Sequence, residues 1–130
     1  PLISWFQPEM QPDFGACEEF CNDCARVCPT GAIRNLGVEE KRQLQIGVAK
    51  VTRDDCLAWT EGEHCMVCQE FCPYGAIDTR TSRAGIPRPV VNEKKCRGCG
   101  FCQNACPAIR NGKAILVHGV DAQRIIGESP

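Results

Sequence analysis

The sequence predicts a small α+β domain of repeated cysteine-rich loops, short hairpin strands and short helices. The chain has only 130 residues, of which 12 are Cys, 12 Gly and 9 Pro, so loops and turns make up much of it. The cysteines recur in three groups with a period of about 40 residues, which indicates a repeated structural unit. Hydrophobic residues reach 43% only with the cysteines counted among them. We therefore expect disulfides or metal to hold so small a core together.

Charge and hydropathy exclude several classes of protein. The 15 basic and 16 acidic residues nearly cancel, so no general positive field for nucleic acid exists. No stretch of the sequence is long and apolar enough to span a membrane. The N-terminus lacks the basic start and apolar run of a signal peptide, and because it does not begin with Met, a processed terminus stays open.

Each cysteine group contains four residues and closes with the pattern Cys-x2-Cys-x3-Cys-Pro. Between its first two cysteines, the first group is one residue longer than the third, and the second group is six residues longer. No cysteine is left over, which indicates a single purpose for all of them. The three groups are Cys17, Cys21, Cys24 and Cys28; Cys56, Cys65, Cys68 and Cys72; and Cys96, Cys99, Cys102 and Cys106.

Three chemistries use cysteines in such numbers. Disulfides are disfavoured because cysteines two residues apart rarely bond to each other, and zinc because it favours two separated Cys-x2-Cys pairs. The run Cys-x2-Cys-x2-Cys-x3-Cys-Pro is the bacterial [4Fe–4S] signature, and the third group matches it without a gap. We therefore predict three [4Fe–4S] clusters with all 12 cysteines as ligands, no catalytic residue, and a chain largely unfolded without metal.

The spacing leaves open which cysteines share a cluster. In paired-cluster ferredoxins the fourth cysteine of a group ligates the neighbouring cluster. In the favoured arrangement the first two groups exchange their fourth cysteines, Cys28 and Cys72, and the third group closes on Cys106. In the alternative, the first and third groups exchange, and the second closes on itself across its longer spacer, residues 57–64.

Short strands are predicted beside the loops. Apolar residues alternate or cluster over residues 44–52, 89–92 and 115–117, which is typical of short strands. Gly31 and Gly75 follow a Cys-Pro pair, and we expect each to make a tight turn into a strand. The side chains expected to pack around the clusters are Ile33, Ile77, Ile115, Val51 and Val91.

Residues 44–118 resemble the polyferredoxins of the periplasmic nitrate reductase system, NapF and NapG, and of methylamine utilisation. The resemblance is carried by Asp55-Cys56-Leu57-Ala58-Trp59, Cys65-x2-Cys68-x3-Cys72, and Arg88-Pro89-Val90-Val91 leading into Cys96-Arg97-Gly98-Cys99-Gly100-Phe101-Cys102. Members typically carry four cluster motifs, and only the last three have counterparts here. The resemblance implies a ferredoxin-like fold and one-electron relay within or beside a redox complex.

We therefore expect a non-catalytic electron carrier whose partner is a redox protein or a larger oxidoreductase complex. Three fully ligated clusters would take the net charge from −1 to about −7, which favours docking to a basic rim on that partner. The expected location is the cytoplasm or a membrane surface, with export open because the family includes exported members. The rival functions are an assembly or maturation factor that binds an apoenzyme, and a cluster-bearing enzyme, for which the 12 cysteines leave no open iron.

The sequence also divides into an apolar N-terminal arm (residues 1–16), a three-motif domain (17–118) and a C-terminal tail (119–130). We expect the arm either to fold over its own cluster lobe or to lie against another protein.

Four weaker features have simple interpretations. Trp59 is expected to shield a cluster, to cap the spacer loop, or both. His64 and His118 are expected to be exposed rather than ligands. The arginine-containing segment 80–88 is expected to be a solvated loop rather than a docking site for an acidic partner.

Overall fold

The structure, a computed structural model, describes residues 9–126, with the side chains of residues 122 and 123 left aside. Five short helices lie in this range: α1 (Asp23–Val27), α2 (Val38–Gln43), α3 (Leu57–Thr60), α4 (Val67–Glu70) and α5 (Phe101–Ala105). Four strands accompany them: β1 (Leu44–Val51), β2 (Ile77–Thr81), β3 (Pro87–Val91) and β4 (Ile115–Ile125). This composition confirms the mixed α+β prediction.

The strands form two antiparallel pairs. Strand β1 pairs with β4, with Val48 opposite His118, and the register shifts at a bulge near Gly47. Strand β2 pairs with β3, with Ile77 opposite Val91. The strands predicted over residues 44–52, 89–92 and 115–117 are therefore present; the first two differ by one or two residues at their ends, and the third extends eight residues further.

The turn after the fourth cysteine leads to different structures in the first two groups. Gly31 and Gly75 both have positive φ values, 67° and 57°, as a tight turn requires. After Gly75 the chain enters β2, as predicted. After Gly31 no strand forms; residues 31–37 are irregular and lead into helix α2. The side chain of Glu40 caps the start of this helix by accepting a hydrogen bond from the backbone N–H of Gly37 at 3.1 Å. The prediction of a strand after Gly31 was therefore wrong.

Both predicted terminal segments are partly included in the fold. Strand β4 continues to residue 125 and pairs Ile125 with Leu44, so the described part of the predicted tail belongs to a sheet. In the arm, Asn104 donates its side-chain amide to the carbonyl of Pro12 at 3.1 Å. The described end of the arm therefore lies on the helix of the third cysteine group. Residues 1–8 and 127–130, with Leu2, Ile3, Trp5 and Phe6 of the arm, lie outside the described residues.

Small side chains and cysteines make up the core. Ile77 and Ile115 are buried, and Val51 and Val91 pack against the same cluster as partly buried residues. Ile33 is only half-buried and is not part of this cluster, so its predicted core position was wrong. The other buried core members are alanines and cysteines. Such a core offers little apolar area, which is why metal ligation has to contribute to folding. Within residues 9–126, none of the helices has the length and apolarity needed to cross a bilayer.

Candidate metal centre

Helices α4 and α5 position four of the cysteines. Cys68 lies in α4 and Cys72 follows it, while Cys102 lies in α5 and Cys106 caps its end. The two residues of each pair are four positions apart, about one helical turn, and the two helices contact each other. Each helix therefore has one thiol near its start and another just beyond its end.

The cysteines of the second and third groups surround two separate cavities. One cavity, with about 350 Å³ of empty space, is lined by Cys56, Cys65, Cys68 and Cys106, together with apolar side chains. The other, with about 320 Å³, is lined by Cys72, Cys96, Cys99 and Cys102. Below they are called the first and second cavity. Each contains three thiols from one group and the fourth thiol from the other, and the first cysteine group contributes to neither.

Both pairings considered from the sequence were therefore wrong, because the exchange joins the second and third groups. The cause is the tertiary structure: β1, which leads into the second group, pairs with β4, which leaves the third. This pairing and the contact between α4 and α5 bring Cys72 and Cys106 across to the other group's cavity. In the longer spacer of the second group, helix α3 lies between Cys56 and Cys65.

The thiols in these cavities have perturbed acidities. Burial raises the pKa of Cys68 and of Cys102 to about 12, and of Cys99 to about 11, with neighbouring thiols adding to the effect. Burial also raises the pKa of Cys56. A thiolate in such surroundings requires a compensating cation. Iron ligation supplies that compensation, so the donor set fits a metal centre.

The arrangement of the thiols suits a cluster better than a single ion. Across the part of the chain that the structure describes, no three His, Cys, Asp or Glu side chains converge as ligands of one metal ion. The thiols instead surround a space, as ligands distributed over the irons of a cubane do. Backbone N–H groups also approach the sulfurs: Ala49 donates to Cys96 Sγ at 3.4 Å and Ala76 to Cys72 Sγ at 3.3 Å. Such hydrogen bonds stabilise negative charge on sulfur.

Two buried glutamines fix the loop and helix of the third group. Gln45 is only 1% exposed and donates its amide to the carbonyl of Cys96 at 2.7 Å. Its side-chain oxygen accepts a hydrogen bond from Arg124 at 2.6 Å. The side-chain oxygen of Gln103 accepts a hydrogen bond from the backbone N–H of Val117 at 2.8 Å. The sequence analysis missed both residues, because an isolated glutamine in a strand or helix ordinarily faces solvent.

The loop of the third group also depends on close backbone packing. Gly98 has φ 79°, and a Cβ placed on it would lie 2.4 Å from the backbone of Gly47. Only glycine fits here, because a side chain would enter strand β1. This contact explains why the residue before Cys99 is a glycine.

The first cysteine group lies in a more exposed part of the molecule. Cys21 and Cys24 are exposed, and Cys17 and Cys28 are half-buried. A backbone hydrogen bond from Cys17 to the carbonyl of Cys99 (2.7 Å) joins this group to the third. The pKa of Cys28 is lowered to about 7, chiefly by its hydrogen bond with the Thr30 hydroxyl. These thiols are accessible and adjoin a second group of exposed residues, the apolar Phe14, Phe20 and Val27.

The structure also locates Trp59, the two histidines and the arginine-containing segment 80–88. Trp59 packs against the core and donates its indole N–H to the carbonyl of Pro89 at 3.2 Å, so it both covers the core and anchors the spacer. His64 and His118 are exposed and line neither cavity. The segment 80–88 is the turn and flanking strand residues of the β2–β3 hairpin.

Two adjoining four-cysteine cavities on short helices and antiparallel strand pairs define an iron–sulfur protein of the ferredoxin type. The chain belongs to the 4Fe–4S dicluster domain family, which matches residues 16–76 and 63–109. The two matches overlap over residues 63–76, which contain Cys65, Cys68 and Cys72 of the second group, and together they include all 12 cysteines.

Several ferredoxin-type proteins are similar to the chain. The methylamine utilization ferredoxin-type protein MauM of Methylobacillus flagellatus is 34% identical over 146 residues, which covers 99% of this chain and 62% of that protein. NapG of Escherichia coli (strain K12) is 36% identical over 107 residues, or 71% of this chain and 46% of NapG. NapF of Haemophilus influenzae is 42% identical over 43 residues, or 33% of this chain and 24% of NapF.

The similarity to MauM extends beyond the stretch 44–118 that the sequence motifs identify. The chain spans about three fifths of the length of MauM and less than half of NapG. No solved structure matches the chain significantly.

Proposed function

We propose that the protein carries three [4Fe–4S] clusters and relays single electrons within, or to, a redox enzyme complex. The observation that carries this proposal is the pair of four-cysteine cavities that share helices α4 and α5. Neighbouring redox centres are what an electron relay requires. The similarity to ferredoxin-type proteins supports the same function.

The ligand assignment follows from the cavities. One cluster is held by Cys56, Cys65, Cys68 and Cys106, and a second by Cys72, Cys96, Cys99 and Cys102. The third is held by the remaining group, Cys17, Cys21, Cys24 and Cys28. Each cluster, when bound, changes oxidation state by one electron. With four thiolates per cluster no iron is open to substrate, so the protein acts as a carrier or non-catalytic subunit.

The closeness of the two cavities supports a relay. Cys68 lines the first cavity and Cys102 the second, and their helices α4 and α5 contact each other. The side chains packed between the elements are small or apolar, with Ala49, Ala76 and Ile77 in the common core.

The remaining predictions concern fold type, partner and location. Two antiparallel strand pairs flanking crossed cysteine groups support a ferredoxin-like arrangement. The partner is proposed to be a redox protein or oxidoreductase complex, and not nucleic acid. The location in the cytoplasm or at a membrane surface, with export open, stays a prediction.

Iron and sulfide analysis of anaerobically purified protein tests the cluster count. We expect about 12 irons and 12 sulfides per chain. Redox titration followed by electron paramagnetic resonance should then show reversible one-electron reduction. A content near eight irons would show that the protein holds only two clusters. A folded protein that contains zinc or disulfides instead of iron would overturn the proposed function.

The alternative function is an assembly or maturation factor that binds an apoenzyme. It is favoured by the exposed side chains of Phe14, Phe20 and Val27, which are 86%, 61% and 75% exposed, because large exposed apolar side chains around one segment are typical of a protein contact. The redox titration separates the two functions. A scaffold tolerates clusters that cannot be reduced, whereas an electron carrier does not.

A further inference from the structure

A surface groove crosses the outer side of strands β1 and β3. We name it the β1–β3 groove. It contains about 490 Å³ of empty space and is lined by residues 49–51 of β1, by Arg53, Trp59 and Glu93, and by residues 89–91 of β3. It is separate from the apolar side chains exposed around the first cysteine group.

The floor of this groove is also the wall of both cysteine cavities. Val51 and Pro89 line the groove on one side and the first cavity on the other. Ala49 and Val91 do the same for the second cavity. A single layer of side chains therefore separates the groove from both metal centres, so a partner seated there is close to each of them.

Two basic side chains, Lys50 and Arg53, line the groove, and Arg88 adjoins it through a contact with Trp59. Lys50 and Arg53 are exposed at its edge. The guanidinium of Arg53 lies 4.4 Å from the centre of the Trp59 ring, and that of Arg88 lies 4.9 Å from it. Contact with the ring orients guanidinium groups and leaves their N–H donors available. Glu93 is the acidic residue that lines the groove.

The basic residues of this region differ from others in their ion pairing. Within residues 9–126, Lys50, Arg53 and Arg88 take part in no ion pair, whereas Arg42 and Arg110 are each paired with a glutamate. The Nε of Arg88 is buried without a hydrogen-bond acceptor, as is that of Arg42, and each of these two guanidinium groups lies over an aromatic ring. The exposed Lys50 and Arg53 are therefore the cations most available to an acidic partner.

We propose that the β1–β3 groove binds a carboxylate-rich edge of the protein that exchanges electrons with this one. The inference rests on the proposed electron-transfer function and adds where the partner docks and what charge it presents. Arginine binds carboxylates through two parallel hydrogen bonds, and Trp and Arg are the residues enriched at the energetic centres of protein interfaces. The net negative charge expected of the loaded protein favours a basic rim on the partner, whereas Lys50 and Arg53 give this groove a local preference for an acidic edge.

The first test measures binding of a carboxylate-rich probe. Hexaglutamate is titrated by calorimetry into the iron-loaded protein at low salt, using the wild type, Arg53→Gln, and the double variant Arg53→Gln/Arg88→Gln. The control Arg34→Gln/Arg83→Gln removes the same charge from exposed positions outside the groove. We expect the groove double variant to weaken binding about five- to tenfold and the control to change it less than about twofold. An equal loss in both double variants would overturn the proposal, because net charge alone would then explain binding.

A second readout locates the probe. Zero-length carbodiimide coupling of hexaglutamate, followed by mass spectrometry, should join a carboxylate to Lys50, and coupling confined to other lysines would contradict the groove. Because Arg88→Gln removes a contact with Trp59, iron content is measured for every variant. Arg53→Gln also removes a contact with Trp59, although Arg53 itself is exposed, and Arg88→Lys keeps the charge and should restore part of the affinity.

Ferricyanide separates failure of the groove from failure of electron transfer. One electron passes from the reduced protein to ferricyanide, giving ferrocyanide, with no proton or atom transferred. The groove double variant should slow this oxidation several-fold relative to the control variant. If the wild type exchanges no electron with ferricyanide while hexaglutamate still couples to Lys50, the groove is a binding site for carboxylates but the proposed electron-transfer function is wrong.

Discussion

The first cysteine group and the linked second and third groups share a sequence pattern but differ in their surroundings. In the linked groups, six of the eight cysteines are buried, with 7–9% of each residue exposed. In the first group, Cys21 and Cys24 are exposed and the other two are half-buried. Below, the first lobe means residues 16–36 and the core lobe means residues 44–126. The comparison teaches that the motif determines ligand spacing, whereas burial comes from a second group packed against it.

The difference has an energetic consequence. In the core lobe, cysteines and alanines form most of the interior and offer little apolar area, so folding there is expected to depend on iron ligation. In the first lobe, the thiols are largely solvated, and few side chains depend on them. Loss of iron should therefore unfold the core lobe and leave only local effects in the first.

The largest expected effect is the loss of a core ligand. Cys102 lies in helix α5 between the two cavities, and both Cys68 and Cys72 influence its pKa. Cys102→Ala should lose about eight irons per chain, because both core clusters depend on the same helix pair. The matched variant Cys24→Ala should lose only about four. Iron analysis and circular dichroism measure both, and equal losses would show that the lobes are equivalent.

A chelator should remove iron in two phases. The exposed cysteines of the first lobe give a chelator direct access, so about four irons should leave first, without loss of secondary structure. The remaining iron should leave together with the circular dichroism signal, because the core lobe must open to release it. Stopped-flow absorbance under anaerobic conditions follows the release. Release of all the iron in a single phase, together with the loss of secondary structure, would show that the two lobes do not differ in their dependence on iron.

Two glycines provide a matched test of packing. Gly98 and Gly31 both have positive φ, but a Cβ on Gly98 would lie 2.4 Å from Gly47, whereas one on Gly31 meets no atom within 4 Å. Gly98→Ala should cost about 3–5 kcal/mol from backbone strain and overlap combined. Gly31→Ala should cost about 1–2 kcal/mol from strain alone. Anaerobic thermal unfolding measures the difference, and similar costs would mean that the contact with Gly47 relaxes freely.

Much of the fold follows from local sequence signals. The strands at residues 44–52, 89–92 and 115–117 were predictable because each has apolar periodicity next to a cysteine group. The missing strand after Gly31 was not, because the first lobe has no partner strand comparable to β3, and a strand without a pair is not stable. Local patterns cannot reveal that difference.

The sequence predicts the candidate ligands but not how the structure groups them. The cysteine spacing carries the chemistry of [4Fe–4S] ligation, whereas the exchange of Cys72 and Cys106 depends on the pairing of β1 with β4, which is nonlocal. Gln45 and the contact between Gly98 and Gly47 were missed for the same reason. The role of each of these residues depends on a segment that is distant in the sequence and packs against it in the fold.

The smallest expected effect concerns the attachment of the first lobe. Arg42 in helix α2 pairs with Glu19 at 3.5 Å and lies 4.9 Å from the ring centre of Phe20. Because this pair is partly solvated, Arg42→Gln should cost less than about 1 kcal/mol. It should nonetheless speed the early phase of iron loss about two- to threefold, with the later phase unchanged.

The control for this variant is Arg110→Gln, which breaks the ion pair with Glu61 (3.0 Å) in the core lobe and should alter neither phase. If Arg42→Gln accelerates both phases equally, the first lobe stabilises the core through this contact. The two lobes would then unfold as one cooperative unit, despite the difference in burial of their cysteines. If only the early phase responds, the exposed cluster is retained by contacts of its own, and the core lobe folds around its two clusters independently of it.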